Sequence, residues 1–511
     1  MSVRAGRKRV LRDRLNKPIG RLRSGFMTAA DNQLGSVEHI VVLVLENRSF
    51  DHMLGFLYAD SGNVSPVTKQ PYEGLTGKEF NLDATGTSEP VSALAATTPN
   101  VYFTPGADPG EGFLATNAQL FGETSPPAGV SATNTGFVTD FAATLKGIDA
   151  HRSNIPGTTA SDIMEVFTPQ LLPVLSGLAC GFAVCDHWFS SVPTETFPNR
   201  AFLCAATSQG HMDDSTSKYT SQSIFGLLSA HNLAWSIYGY NSPPLTRLNF
   251  PDTTDAAESH FGVFGDFQAA AAAGTLGVYT FLEPRWGSSG NSQHPNYDVA
   301  LGEQLIHDVY YTLRNGPAWN QTLLIITYDE HGGCYDHVAP PTGAVAPDSC
   351  AGEFGFGFTR FGVRVPTVLV SPLIAPGTVF RTTGTAPLDH TSILKTVETR
   401  WGLPPLTARD AAAPDVGDVL TLAQPRTDDP LAGVIVPKSA VPNPVAGTPS
   451  HIQQVYAQLV SALPVNDTQG QTHSAMPTLT TEQDYHDYIN SRSAAWTAAR
   501  AGTRPNGDPP G

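Results

Sequence analysis

The sequence predicts an α/β fold, a three-layer sandwich in which helices flank a parallel-rich sheet. Three observations predict it. Short β-branched apolar runs recur along the chain, as the buried strands of parallel sheets do. Helical patterns alternate with those runs. Gly (47) and Pro (41) are frequent enough among 511 residues to demand many turns and long loops, which a helical bundle lacks. The chain is 41% hydrophobic and 9% aromatic, enough for a large core and too much for wholesale disorder.

The chain begins with a basic stretch. Residues 1–23 hold Arg4, Arg7, Lys8, Arg9, Arg12, Arg14, Lys17, Arg21 and Arg23 against Asp13, a charge of +8. This reads either as a solvated, frayed terminus or as a membrane-surface or targeting arm. No apolar run of signal-peptide length follows it, so no classical export signal is recognisable. Localisation stays open between the cytoplasm by default and export by a route without such a signal.

His39–Leu45 (HIVVLVL) is the first expected strand. Asp162–Leu178 has a helical pattern. Ala234–Tyr238 and Val278–Leu282 read as strands, Val299–Arg314 as a helix, Leu323–Tyr328 and Val363–Val370 as strands, and Thr391–Trp401 as a helix. Polar, Gly/Pro-rich stretches at about 58–135 and 240–275 read as loop insertions over one face. Past Leu403 the composition shifts to Pro, Ala, Thr and Asp, with helical patterns at His451–Leu463 and Glu482–Arg500 and a frayed 502–511. The expected organisation is a basic arm over 1–35, a catalytic domain over 36–403 and a C-terminal appendage over 404–511. The nearest approach to a membrane span, Leu171–Cys185, is interrupted by Pro173, Ser176 and two glycines, so no transmembrane helix is expected.

Charge excludes one function class. The net charge is −16, and −24 without the basic stretch, which argues against a general nucleic-acid binder. The cysteines, Cys180, Cys185, Cys204, Cys334 and Cys350, are odd in number and lack zinc-knuckle spacing. Neither a disulfide framework nor a cysteine metal site is indicated.

Chemistry concentrates at strand ends, where open α/β sheets gather ligands. Glu46-Asn47-Arg48-Ser49-Phe50-Asp51-His52 follows the first strand, and Glu46 and Asn47 offer the oxygen ligands that hard divalent cations prefer. Asn47 or Ser49 would equally cap a helix. Asp329-Glu330-His331-Gly332-Gly333 follows Leu323–Tyr328. Adjacent carboxylates at the end of a buried strand are costly unless a cation or hydrogen-bond donors balance them. The two ends together would offer four oxygen-bearing residues to one cation.

Thr196, in Pro193-Thr-Glu-Thr196-Phe-Pro198-Asn-Arg200, stands before a helix-compatible Ala201–Thr207. There the helix dipole favours an anion, and a metal-bound hydroxyl would be a nucleophile. An ordinary threonine N-cap with Pro198 in the first turn is the other reading. His294, in a loop after Glu283-Pro284, would bind a phosphate oxygen or protonate a leaving group, or simply face solvent. His337 and His390 are candidates to support the site from behind, and Asp389 also suits a helix N-cap.

Together these segments resemble the bacterial phosphoesterase family of non-haemolytic phospholipases C and a respiratory-burst-inhibiting acid phosphatase. The matching stretches are 39–55, 185–200, 281–299, 323–341, 364–377 and 388–403. The resemblance implies an alkaline-phosphatase-like fold. It implies one divalent cation of unknown identity, held by Glu46, Asn47, Thr196, Asp329 and Glu330. Thr196 would be the nucleophile, forming a phosphothreonine that water hydrolyses, and His294 would line the phosphate pocket beside Asn47.

One departure stands out. Family members commonly carry Asp-Pro-x-His, where this chain reads Asp108-Pro109-Gly110-Glu111. If Glu111 faces the site, it repels a phosphate monoester dianion more than a diester monoanion. If the loop has moved, Glu111 faces solvent. Thr196–Arg200 also echoes the sulfatase Cys/Ser-x-Pro-x-Arg signature, but threonine cannot become formylglycine. The expected function is phospholipase C-like phosphodiester hydrolysis on a phosphate-ester substrate, phospholipid included. A phosphomonoesterase of acid-phosphatase type is the alternative, and an inactive phosphate- or lipid-binding protein a further one. Peripheral membrane contact through the basic arm stays open, as does the oligomeric state.

Overall fold

A computed structural model describes residues 32–127, 129–147, 154–215, 217–465 and 476–503. Residues 1–31 of the basic arm and 504–511 of the expected frayed end lie outside the described residues.

The main sheet has eight strands. In chain order they are β1 (His39–Leu45), β2 (Ala183–Val184), β3 (Trp235–Gly239), β4 (Phe261–Val263), β5 (Tyr279–Leu282), β6 (Thr322–Tyr328), β7 (Val368–Val370) and β8 (Thr378–Val379). Across the sheet they run β8-β2-β7-β6-β1-β5-β3-β4. β1 pairs in parallel with β5 and with β6, β3 pairs in parallel with β5 and β4, and only β7 runs against its neighbours. The register of β1 and β6 sets Leu45 opposite Tyr328, so both chains leave the sheet at the same edge and level.

Burial explains the apolar runs. Ile40 to Leu45 and all of β6 are buried. Successive side chains of a strand point to opposite faces, so both faces of the sheet centre are covered. The helices used below are α1 (Phe50–Leu54), α2 (Phe113–Phe121), α3 (Pro173–Gly181), α4 (Thr196–Ala205), α5 (Ile224–Ala230), α6 (Phe264–Ala273), α7 (Val299–Arg314), α8 (Thr391–Trp401), α9 (His451–Ser461) and α10 (Glu482–Thr503). One set, α3, α6 and α7, packs together, and another gathers α5 and α8 around α4.

The expected α/β architecture is what the chain adopts, with several local differences. The helix expected over Asp162–Leu178 is a short 3-10 turn at Ala160–Met164 followed by α3. Pro169 and Pro173 explain the break, since proline suits a first helical turn and not an interior. The expected loop over 240–275 holds β4 and α6, the latter ending in a run of alanines. The strand expected over Val363–Val370 narrows to Val368–Val370 because Arg364 turns into a buried acidic cluster.

Residues beyond 404 pack tightly on the rest. α9 and α10 share one apolar cluster with Phe197 of α4, Leu245, Leu248 and Trp286. Glu482 accepts hydrogen bonds from Ser288 Oγ (3.0 Å) and Ser289 N–H (3.1 Å). Asn443 donates to the Ser288 carbonyl, and Gln453 to that of Trp286 at 3.4 Å. The loop that carries His294 is therefore clamped from the C-terminal part. Among the described residues no helix is long and apolar enough to cross a membrane.

Candidate active site

The neighbouring ends of β1 and β6 build the base of the site. Glu46 N–H donates to the Ser292 carbonyl at 2.9 Å. Asn47 adopts a left-handed conformation (φ 57°), which asparagine tolerates better than most residues. Its N–H donates to Asp329 Oδ1 at 2.9 Å, and the Glu330 N–H reaches the same oxygen at 2.9 Å. Gly332 closes the arrangement: with φ 61°, a Cβ there would lie 2.0 Å from the Asn47 carbonyl oxygen. No other residue type fits that approach.

Helix α4 supplies the hydroxyl. Thr196 is the first helical residue, and Glu195 takes the N-cap position expected of Thr196. Thr196 Oγ1 donates to Asn47 Oδ1 at 3.4 Å. One turn later, Arg200 donates from Nε to Asp329 Oδ2 at 2.9 Å and from Nη2 to the Leu45 carbonyl at 3.3 Å. Its guanidinium rests over Trp286, 4.8 Å from the ring centroid. Glu46, Asn47, Thr196, Asp329 and Glu330, far apart in sequence, thus share one place.

That place is short of positive charge. Three buried carboxylates, Glu46, Asp329 and Glu330, lie at these strand ends, and the Arg200 guanidinium pairs with Asp329. Oε1 of Glu46 and Oε1 of Glu330 are buried without a hydrogen-bond partner. Burial raises the pKa of Glu46; His294 opposes the shift and Asp329 adds to it. Burial, then the charges of Glu111 and Asp329, hold Glu330 well above the usual carboxylate range. Buried carboxylate oxygens of this kind, with an amide oxygen and a hydroxyl beside them, suit a hard divalent cation. The described residues also contain two tighter groups with ligand atoms within 4.8 Å of one another, Asp108–Glu111–His294 and Asp51–Asp336–His337. Arg364 already bridges the carboxylates of the second, at 2.8 Å to Asp51 and 3.0 Å to Asp336.

Above the base opens a cleft of about 440 Å³, lined by Asp108, Glu111, Thr196, Asp214, His294 and His451 among others. Glu111 points inward: it is 8% exposed, and its Oε2 accepts a hydrogen bond from Asn47 Nδ2 at 2.6 Å. The His294 ring stacks on Tyr297 with centroids 4.9 Å apart. Its Nδ1 is 3.1 Å from the Pro295 carbonyl and its Nε2 4.0 Å from Asp108 Oδ1. Burial alone would lower the His294 pKa, but Asp108, Glu46 and Glu111 outweigh it and leave the value raised.

Arg48, His331 and Arg364 were not singled out by sequence reasoning, whereas His390 and His337 were expected as supports of the site. Buried Arg48 donates to the carbonyls of Thr104 (2.7 Å), Gln293 (2.6 Å) and His294 (3.1 Å), bracing the His294 loop from beneath. His331 sits between Glu330 (3.1 Å) and Gln119 (2.7 Å), and burial takes its pKa down to about 3. His390 Nε2 lies 2.6 Å from the Asp329 carbonyl. His337 contacts Asp51 at 2.6 Å, within the Arg364 cluster and away from the cleft lining. Position inside the recurring motifs was the available signal for Arg48 and His331; no spacing rule marks Arg364.

Comparison with known proteins places these residues in context. The model of the Phosphoesterase family matches residues 37–404. The chain is similar to non-specific phospholipase C6 of Arabidopsis thaliana, with 37% identity over 414 residues, 77% of this chain and 74% of that protein. It is also similar to phospholipase C A of Mycobacterium tuberculosis, with 28% identity over 81% of this chain and 84% of that protein. Among solved structures, a phosphonate monoester hydrolase of Agrobacterium radiobacter matches at 11% identity and a TM-score of 0.30, over 49% of this chain and 72% of that one. A protein of the alkaline phosphatase superfamily from Vibrio parahaemolyticus matches at 13% identity and a TM-score of 0.26, over 48% of this chain and 64% of that one.

Proposed function

The chain belongs to the phosphoesterase family, whose members are hydrolases of phosphoric ester bonds, and on that premise we propose a metal-dependent phospholipase C-like phosphodiesterase with Thr196 as nucleophile. The observation that carries the reading is the Thr196 hydroxyl hydrogen-bonded to Asn47 at adjacent strand ends where one buried oxygen each of Glu46 and Glu330 lacks a partner. A divalent cation held by Glu46, Asn47, Asp329 and Glu330 would act as a Lewis acid and lower the pKa of a nearby hydroxyl.

The remaining steps use the chain's own groups. Asn47 Oδ1 orients the Thr196 hydroxyl. Thr196 Oγ1 gives up its proton to solvent, as a cation held beside it would favour, and attacks phosphorus, while the bond from phosphorus to the leaving alcohol breaks. His294, whose pKa acidic neighbours raise and so favour its protonated form, gives the leaving oxygen a proton through Nε2. Water then attacks the phosphothreonine from the side the alcohol has left, passing one proton to the now neutral His294, and Thr196 leaves as an alkoxide that takes a proton from solvent, releasing a phosphate monoester. Glu111 favours a diester over a monoester, because its carboxylate at the Asn47 amide meets one negative charge on the substrate rather than two.

The test is Thr196→Ala beside Thr196→Ser, assayed with a chromogenic phosphodiester and a monoester across several divalent cations. Turnover falls by about a thousandfold or more in the alanine variant, in the range of removing a nucleophile. Acid quenching of the wild type during turnover leaves a phosphorylated peptide containing Thr196. An alanine variant that keeps most of its cation-dependent turnover rejects Thr196 as the nucleophile.

A further inference from the structure

Apolar side chains stand in solvent where the cleft meets the surface. Helix α2 starts directly after Glu111 and Gly112, and a Cβ on Gly112 would lie 2.7 Å from Glu195 Oε1, so the start of α2 abuts the cleft wall. Phe113 stacks on Phe354 with centroids 5.5 Å apart, and packs on Phe356 at 5.2 Å. Phe354, Phe356 and Phe358 alternate with Gly355 and Gly357 in one loop.

That loop is tied to the cleft by a second route. Glu353 N–H donates to the Gly210 carbonyl at 2.9 Å, and Glu353 Oε2 accepts from Met212 N–H at 2.7 Å. The next residues, Asp213, Asp214 and Ser215, line the cleft. The Arg360 guanidinium lies among the rings, 4.8 Å from the centroid of Phe121 and 5.8 Å from that of Phe356, and donates to Asn117 at 2.6 Å. Phe354 is nevertheless 56% exposed, in a left-handed conformation (φ 56°), and Leu114 is 43% exposed. An aromatic loop that holds a phenylalanine in water, at a backbone angle phenylalanine disfavours, has a partner surface as its natural explanation.

We propose that this rim, through the exposed side chains of Phe354 and Leu114, docks the protein on a zwitterionic phospholipid bilayer. The proposal rests on the phospholipid reading of the cleft. A substrate with two acyl chains stays in the bilayer, so the mouth of the cleft must meet the headgroup layer. Aromatic rings beside an arginine are the composition that settles there. Charge selects the lipid. Asp108, Glu111, Glu195, Asp213 and Asp214 line the cleft behind the rim, and the chain carries −16 overall. Anionic headgroups are repelled by that face, whereas a zwitterionic headgroup presents its cation outward.

The experiment compares the full chain with Phe354→Ser, Leu114→Ser and the double variant. Partition onto phosphatidylcholine vesicles, with and without phosphatidylserine, is read by co-sedimentation, and turnover is read on the same vesicles and on a water-soluble chromogenic phosphodiester. Each single substitution weakens partition onto phosphatidylcholine by about tenfold, from the apolar area withdrawn from water. Vesicle turnover falls with it, and turnover of the soluble diester is unchanged, because both side chains lie outside the cleft lining. The proposal is overturned if the double variant partitions like the wild type, or if binding needs phosphatidylserine, which points to the basic stretch. It is also overturned if the wild type is a dimer that the double variant dissociates, which makes the rim a protein contact. A wild type inactive on both substrates would instead reject the phosphodiesterase reading, and partition would still decide the surface.

Discussion

Cation binding should be coupled to proton release, and the structure names the groups that release the protons. Glu46 and Glu330 are the carboxylates with orphaned oxygens, and burial is the largest cause of the upward pKa shift in each. Without a cation, the stabilising neutral forms persist at low pH. That stability is lost as pH rises through the raised folded-state values. A cation requires both groups ionised, so below those values it displaces up to two protons. Each displaced proton changes affinity about tenfold per pH unit, about 1.4 kcal/mol. Affinity should therefore climb between about tenfold and a hundredfold per pH unit below those raised values and flatten above them. Titration calorimetry in buffers of different ionisation enthalpy counts the protons directly. Glu330→Gln should lower the count by one and weaken binding. Affinity independent of pH, or a Glu330→Gln variant with the wild-type proton count, refutes the reasoning.

Three further outcomes follow from particular contacts. Arg364→Met leaves Asp51 and Asp336 buried without their bridging cation, and should cost about 3–5 kcal/mol in denaturant unfolding. Glu111→Gln removes the inward carboxylate from the Asn47 amide, and should raise monoester turnover relative to diester turnover by about tenfold or more, measured as a ratio of kcat/KM values. Glu482→Ala frees the Ser288–Ser289 segment of the His294 loop. It should lower kcat by about tenfold with KM little changed, shift the His294 limb of the pH profile, and be partly rescued by Glu482→Gln.

The sheet centre was legible because burial on both faces leaves a distinctive residue pattern. β1 coincides with its expected bounds, and β5 and β6 come within one residue of theirs. β2 and β8 are two residues long, too short for any periodicity to show. Helix α6 lay hidden inside a stretch classed by its polar, Gly-containing flanks. In the site, Glu46, Asn47, Asp329 and Glu330 were legible because acids at the end of a buried strand conflict with their surroundings. The partnership of Arg364 with Asp51 and Asp336 was not, since it joins three segments that meet only after folding. Glu111 had two sequence-level readings, and the Asn47 amide decides between them by drawing its carboxylate inward.

The two motifs gain their chemistry from one topological fact, the parallel pairing of β1 with β6. Neighbouring strands lie about 4.8 Å apart, so residues that follow Leu45 and Tyr328 meet without help from long loops. A hydroxyl is what the strand ends lack, and α4 brings it by a route visible in Thr196-Phe-Pro-Asn-Arg200. Residues four apart share a helix face. Arg200 binds Asp329 from that face at 2.9 Å and reaches the last carbonyl of β1 as well, so Thr196 is carried over the same carboxylate. Asp329 thereby serves three donors at once, the N–H groups of Asn47 and Glu330 through one oxygen and Arg200 through the other. Asp329 is therefore the keystone of the geometry. Both its oxygens already accept hydrogen bonds, so the carboxylate oxygens left without a partner are Oε1 of Glu46 and Oε1 of Glu330.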